Sequence, residues 1–222
     1  RSIFGHTVNL KILSYLEMCN RMDTVPYLKD IALIHYLDRE KIQGEELPLS
    51  TEQFQQIAGY VDQLEQCTDH REYHRLLGKI LIVGSYLKRR KNLTLSALEG
   101  KELKEEELIQ SLRESCSNLI FCEIQGQYYI ETGKETLPAQ LVLRTYDFFE
   151  QIVELLLEQG GSFFYRLTQM DGALRISVNL EGDCQTESLQ EKYPLLHMEQ
   201  EEEKEWFLAL QLSEKGGSNE IL

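Results

Sequence analysis

The sequence has no Cys-x-x-Cys pair. Its five cysteines, Cys19, Cys67, Cys116, Cys122 and Cys184, are odd in number and scattered. That excludes a zinc ribbon or a disulfide framework as the organising device. A reducing, cytoplasmic compartment is the expectation. No apolar run reaches the roughly 18 residues that a membrane helix needs, and no signal peptide opens the chain. Positive charge is scarce: 23 Lys and Arg stand against 37 Asp and Glu, a net charge of −14 in 222 residues. Such a surface repels phosphate backbones and anionic lipids, so neither nucleic acid nor a membrane surface is an expected partner. No nucleophile–base pair stands out along the chain. The length and a hydrophobic content of 42% suit one large or two small globular domains. Because the first residue is Arg rather than Met, we expect a fragment with a sensor or membrane region upstream.

What is present centres on residues 72–88, Glu-Tyr-His-Arg-Leu-Leu-Gly-Lys-Ile-Leu-Ile-Val-Gly-Ser-Tyr-Leu-Lys. Tyr73, Leu77, Ile80, Gly84 and Leu87 recur at steps of four and three, a heptad-like helical seam. Arg71, Glu72, Lys79, Lys88, Arg89 and Arg90 fall largely off it. His74 follows Tyr73, so its imidazole should border the seam without being sealed inside. Alternatively His74 is an incidental surface residue of a helical hairpin.

Upstream, residues 4–20 and 27–41 carry helical stripes separated by Asp23-Thr24-Val25-Pro26. Ser50 with Gln53 forms a capping box for a helix bearing Phe54, Ile57, Tyr60, Val61 and Leu64. That helix is expected to run nearly unbroken into the His74 helix. Lys91-Asn92 should end the first hairpin arm, and residues 102–121 should return, with Leu108, Leu112 and Leu119 on one face. Two such arms expose their seam, so a homodimer completing a four-helix bundle is expected, with Leu77, Ile80 and Leu87 also buried between chains.

Beyond that point the period changes. Tyr128-Tyr129-Ile130 reads as a strand. A helix begins at Leu137-Pro138-Ala139 and stops at Gly160-Gly161. Residues 162–169 and 173–180 form a hairpin around Met170-Asp171-Gly172. Glu199–Glu205 reads as a solvated acidic run, residues 206–212 as a last strand, and residues 214–222 as a frayed tail.

The run Tyr73-His74-Arg75-Leu76-Leu77-Gly78 resembles the dimerisation helix of sensor histidine kinases, in the branch with a His-Asp-x-x-Gly acceptor motif. His and Gly are in place, and Arg75 stands where the Asp belongs. Gly5-His6-Thr7-Val8 also resembles a piece of such a helix, making His6 the second acceptor candidate. The order of strand, long helix, hairpin and last strand is similar to the ATP-binding domain of that family. Leu137-Pro-Ala-Gln-Leu resembles the opening of its first long helix, and Arg175-Ile-Ser-Val with Gly182 resembles the strand entering its first glycine box. The resemblance covers residues 50–213. It implies an α+β chain: a helical connector (1–49), a phospho-acceptor-like hairpin (50–122), a reduced ATPase-like α/β sandwich (123–213) and a tail (214–222).

The chemistry departs from the family. Its Glu, Asn and His on the long helix fall at Gln151, Leu155 and Gln159, and Leu offers Mg²⁺ no oxygen. The adenine-pairing Asp falls at Leu180. About 20 residues separate Cys184 from Trp206, too few for the family's lid by the notion of its length, and the second glycine box is absent. Glu181 and Asp183 are a remote alternative metal pair, more simply read as solvated turn residues. The expectation is therefore a signal-transduction protein with a degenerate ATP domain, no cofactor and no metal. His74 is its phospho-acceptor candidate and a response regulator its candidate partner. An ATP-independent phosphotransferase or a dimeric scaffold is the alternative.

Overall fold

The computed structural model describes residues 51–170, 172–184 and 186–213. The helices expected over residues 4–41, His6, the Ser50 cap and the tail lie outside these residues. The chain divides into two compact units, Arg1–Lys88 and Arg89–Leu222.

In the first unit, α1 (Thr51–Gln66) is followed by α2 (His70–Glu99), which continues into the second unit. Helix α1 buries Ile57, Tyr60, Val61 and Leu64, the stripe its spacing implies. The two helices are separate, against the near-unbroken run expected. Residues 67–69 interrupt them, and Asp69 restarts the chain as a helix cap. Its Oδ1 accepts the Glu72 backbone N–H at 2.8 Å, satisfying a donor that the first turn leaves unpaired.

Helix α2 corrects a second expectation. Residues 76–83 are all buried, not one seam of them. Leu76, Leu81, Ile82 and Val83 lie off the seam and are 0–3% exposed. A helix that is apolar on every side is a core helix. Lys79, expected off the seam, is buried too, with its Nζ 5.2 Å from the centre of the Tyr60 ring. The aromatic face offsets part of the cost of desolvating the ammonium.

The second unit opens on the last turns of α2, which reach Glu99 instead of ending at Lys91-Asn92. The expected return helix begins later. Residues 102–104 are a strand, β1 (Glu102–Lys104), antiparallel to β3 (Thr136–Pro138). Leu103 and Leu137 face one another there, both buried. Only then come α3 (Glu105–Asn118) and a 3-10 turn (Leu119–Cys122). Leu108, Leu112 and Leu119 are fully buried within the single chain, as nearly are Leu77 and Ile80. These residues therefore have no apolar surface left for the inter-chain seam expected of them.

The core of this unit is a five-stranded sheet in the order β2 (Ile124–Glu131), β4 (Gly161–Met170), β5 (Ala173–Glu181), β7 (Glu205–Leu212) and β6 (His197–Glu202). Strand β2 is parallel to β4, and the other pairs are antiparallel. A parallel pair needs a crossover, which α4 (Ala139–Leu156) supplies. The fold is thus α+β, as the change of period implies. Alternate residues of the strands, among them Phe163, Tyr165, Leu167, Ile176, Val178 and Leu208, turn to the core. The Phe149 ring of α4 meets Phe163 and Tyr165 edge-on at 5.7 and 5.6 Å. The acidic run is solvated as expected, and its first part, in β6, also pairs with β7 through its backbone. Charge on an edge strand discourages pairing with a further chain. A short helix, α5 (Glu187–Lys192), precedes it.

Candidate functional site

His74 sits on the second turn of α2, half-exposed beside buried Tyr73. The two rings stand edge to face, 6.4 Å apart. Its Nε2 is 3.4 Å from Nε2 of His70, one turn earlier. The ring centres are 4.4 Å apart. Arg75 reaches back to the Glu72 carboxylate at 3.8 Å. The Arg75 cation is thus partly neutralised by a residue of its own helix. His70 was not singled out from sequence. Its signal was the four-residue step from His74, which puts both rings on one face.

In the second unit, the positions compared with the nucleotide site are occupied by packing and local bonds. Gln151 donates to Glu154 Oε2 at 2.7 Å and accepts from Lys192 Nζ at 2.8 Å. Leu155 is half-buried and Gln159 exposed. Leu180 is 2% exposed and lies across from Phe163 and Trp206 on the neighbouring strands. Glu181 accepts a hydrogen bond from Ser162 at 3.1 Å, and Asp183 is exposed. Burial, with Asp183 second, pushes the Cys184 thiol up to about 11. No group of three or more His, Cys, Asp or Glu side chains among the described residues is arranged to hold a metal ion.

Gly182 is closely packed. A Cβ there would lie 2.7 Å from Leu156 Cδ2 and 3.3 Å from Cys184 Sγ. Its N–H already donates to the Lys204 carbonyl at 2.9 Å. A phosphate-cradling glycine instead keeps its N–H turned toward the ligand. Gly161 is fixed still more firmly: its φ is 137°, and a Cβ would collide with the Glu181 carbonyl oxygen.

A polar cluster that sequence reasoning missed lies where α3, α4 and the end of α2 carry charge into the core. Arg90 grips both oxygens of Asp147 at 2.5 and 3.0 Å and bonds Thr94 Oγ1 at 2.6 Å. Arg89 pairs with Glu114. Ser115 and Tyr146 share a hydrogen bond of 2.9 Å. Glu150 is 1% exposed and its Oε1 has no hydrogen-bond partner. Burial, then the charges of Glu154 and Asp147, hold its carboxyl well above the usual range. The available signal was charge inside an apolar run: Asp147 and Glu150 interrupt the inner residues of α4, and Arg89-Arg90 follow a buried stretch of α2.

The architecture defines a two-layer α/β unit with a mixed sheet, preceded by helices. No protein-family model and no curated protein matches the chain. Solved structures with similar folds include the histidine kinase domain of a blue-light-activated kinase from Erythrobacter litoralis, at 12% identity and a TM-score of 0.46, covering 86% of this chain and 94% of that one. A bacterial phosphotransferase is similar at 13% identity and a TM-score of 0.42, covering 71% and 87%. The histidine kinase ThkA in complex with the response regulator TrrA is similar at 14% identity and a TM-score of 0.35, covering 96% and 66%. No described helix is long and apolar enough to cross a membrane.

Proposed function

We propose that this chain is a signal-transduction protein of the sensor-histidine-kinase kind whose ATPase-like domain no longer uses ATP. The observation that carries the proposal is the burial of Leu180. An adenine-pairing position must present an oxygen acceptor to the ligand, and here it presents a methyl-bearing side chain to the core. Gly182 supports it, with its N–H spent on a backbone carbonyl. The remaining chemistry is at His74, which receives a phosphoryl group from a phosphorylated response regulator. Its half-exposed ring is within reach of a partner surface, and Arg75 beside it supplies a donor for phosphate oxygens. Incubating the protein with phosphorylated regulators and assaying acid-labile phosphate tests this. Transfer lost in His74→Gln supports it; label that persists moves the site to His6.

The homodimer belongs to the same proposal, with a different contact from the one read in the seam. Leu95 and Leu98, near the end of α2, are 44% and 60% exposed and would supply apolar surface to a second copy. Light scattering of wild type and a Leu95→Asp, Leu98→Asp variant tests it; a monomeric wild type at micromolar concentration refutes it.

A further inference from the structure

We infer that His70 and His74 form a two-histidine clamp for a divalent transition metal of the zinc, copper and nickel group. The two Nε2 atoms are 3.4 Å apart. With Zn–N bonds of about 2.0–2.1 Å at the tetrahedral angle, two ligating nitrogens stand about 3.3–3.4 Å apart. The right-angle geometry of an octahedral hard cation would instead require about 2.9 Å at that bond length. The observed separation matches the edge of a zinc tetrahedron, and rotation of the two rings, whose centres are 4.4 Å apart, would turn both lone pairs onto one ion. Imidazole nitrogen is also the ligand type this group of metals prefers over magnesium or calcium.

Helix α2 starts at His70, and an exposed helix start is unfavourable for positive charge. Asp69 at the cap and Glu72 in the first turn offset that field, while Arg71 and Arg75 lie in the same turns and Glu72 also pairs with Arg75. His70 is exposed and His74 half-exposed, so the clamp opens to solvent. No third His, Cys, Asp or Glu among the described residues completes it. Water or an outside ligand would complete the tetrahedron. The two histidines have the i, i+4 spacing of the His-Glu-x-x-His helix of zinc proteases, but Arg71 stands where the general base would be. The clamp binds metal and does not hydrolyse peptides.

Metal binding fixes the tautomer of both rings. Both Nε2 lone pairs must face the metal, so each neutral ring carries its one proton on Nδ1; a ring that begins with that proton on Nε2 shifts it to Nδ1 through solvent, with no net proton released. Zinc and a phosphoryl group then compete for one lone pair of His74, a consequence that rests on the phosphoryl proposal; metal binding itself does not.

The test titrates the tag-free chain with zinc sulfate against a chromophoric chelator, alongside His70→Ala, His74→Ala and His197→Ala, with circular dichroism to check folding. We expect one zinc per chain in wild type and in His197→Ala. Each of His70→Ala and His74→Ala should weaken affinity by more than about tenfold, since losing even an outer-shell partner costs that much. Cobalt(II) bound to wild type should show the intense visible bands of a tetrahedral ion, lost in both clamp variants. Wild type that binds no zinc, or folded clamp variants with undiminished affinity, would overturn the inference.

Discussion

The helix carrying His74 and the sheet unit that follows it use polar residues differently. On α2 the His74 ring is half-exposed while residues 76–83 are all buried. In the sheet unit Leu180 lies in the core and Gln151 is held by local hydrogen bonds, while Gln159 and Asp183 face solvent. The difference shows that a fold and a site are held by different residues. A core is stabilised by many interchangeable apolar contacts, whereas a ligand site depends on a few oxygens that packing does not need.

The sharpest test of that contrast puts an acid at the position proposed to correspond to the adenine-pairing one. Leu180→Asp does so at a position in the core between Phe163 and Trp206. An unpaired buried carboxylate should cost about 3–5 kcal/mol of stability, read as a shifted midpoint in urea. ATP–Mg²⁺ binding should remain weaker than about 1 mM, near −4 kcal/mol, in calorimetry of both proteins. Wild-type binding tighter than that would mean that the sheet unit is a working nucleotide site.

A smaller effect, of about 2 kcal/mol, is expected from Arg90→Ala. It strips Asp147 of both charge-assisted bonds and Thr94 of one. Restoring the charge as Arg90→Lys should recover only part of the loss, because an ammonium cannot match two carboxylate oxygens side by side.

Glu150 tests the same region through pH. Its folded pKa is raised by burial and by neighbouring carboxylates. Between the unfolded and folded values the native state binds more protons than the unfolded chain, so stability falls as pH rises. Glu150→Gln keeps the shape and removes the titration. It should be more stable than wild type at neutral pH and lose the advantage below the unfolded value. Parallel pH profiles for the two proteins would show that Glu150 is not the source of the slope.

Much of this fold was legible because its elements bury strongly patterned residues. The hairpin over residues 161–181, the inner face of α4 and the Gly160-Gly161 stop all follow from periodicity and from glycine's positive φ. Strand β6 was not legible, since its side chains are acidic and exposed and only its backbone pairs. The true length of α2 was hidden by Lys91-Asn92, polar residues that a solvated helix face tolerates. Lys79 was misread because a cation normally marks the outer face, and only the fold brings Tyr60 under it. The half-exposed place of His74 beside the seam was legible from its step after Tyr73; its contact with His70 was not sought, although helical geometry contains it.

The smallest expected effect on stability falls at that residue. His74→Gln removes a half-exposed ring whose nearest polar contact is His70, so the unfolding free energy should move by no more than about 0.5 kcal/mol. Phosphoryl acceptance should nevertheless disappear, because the glutamine amide offers no nucleophilic nitrogen. The pairing of those two results is what separates a reactive residue from a structural one. A structural histidine would give the opposite pattern, with stability lost and label retained. His70→Gln supplies the control on the same helix face: it leaves the His74 lone pair in place and removes only its neighbour, so label should persist. If both variants lose label equally while remaining folded, the unit of function is the histidine pair.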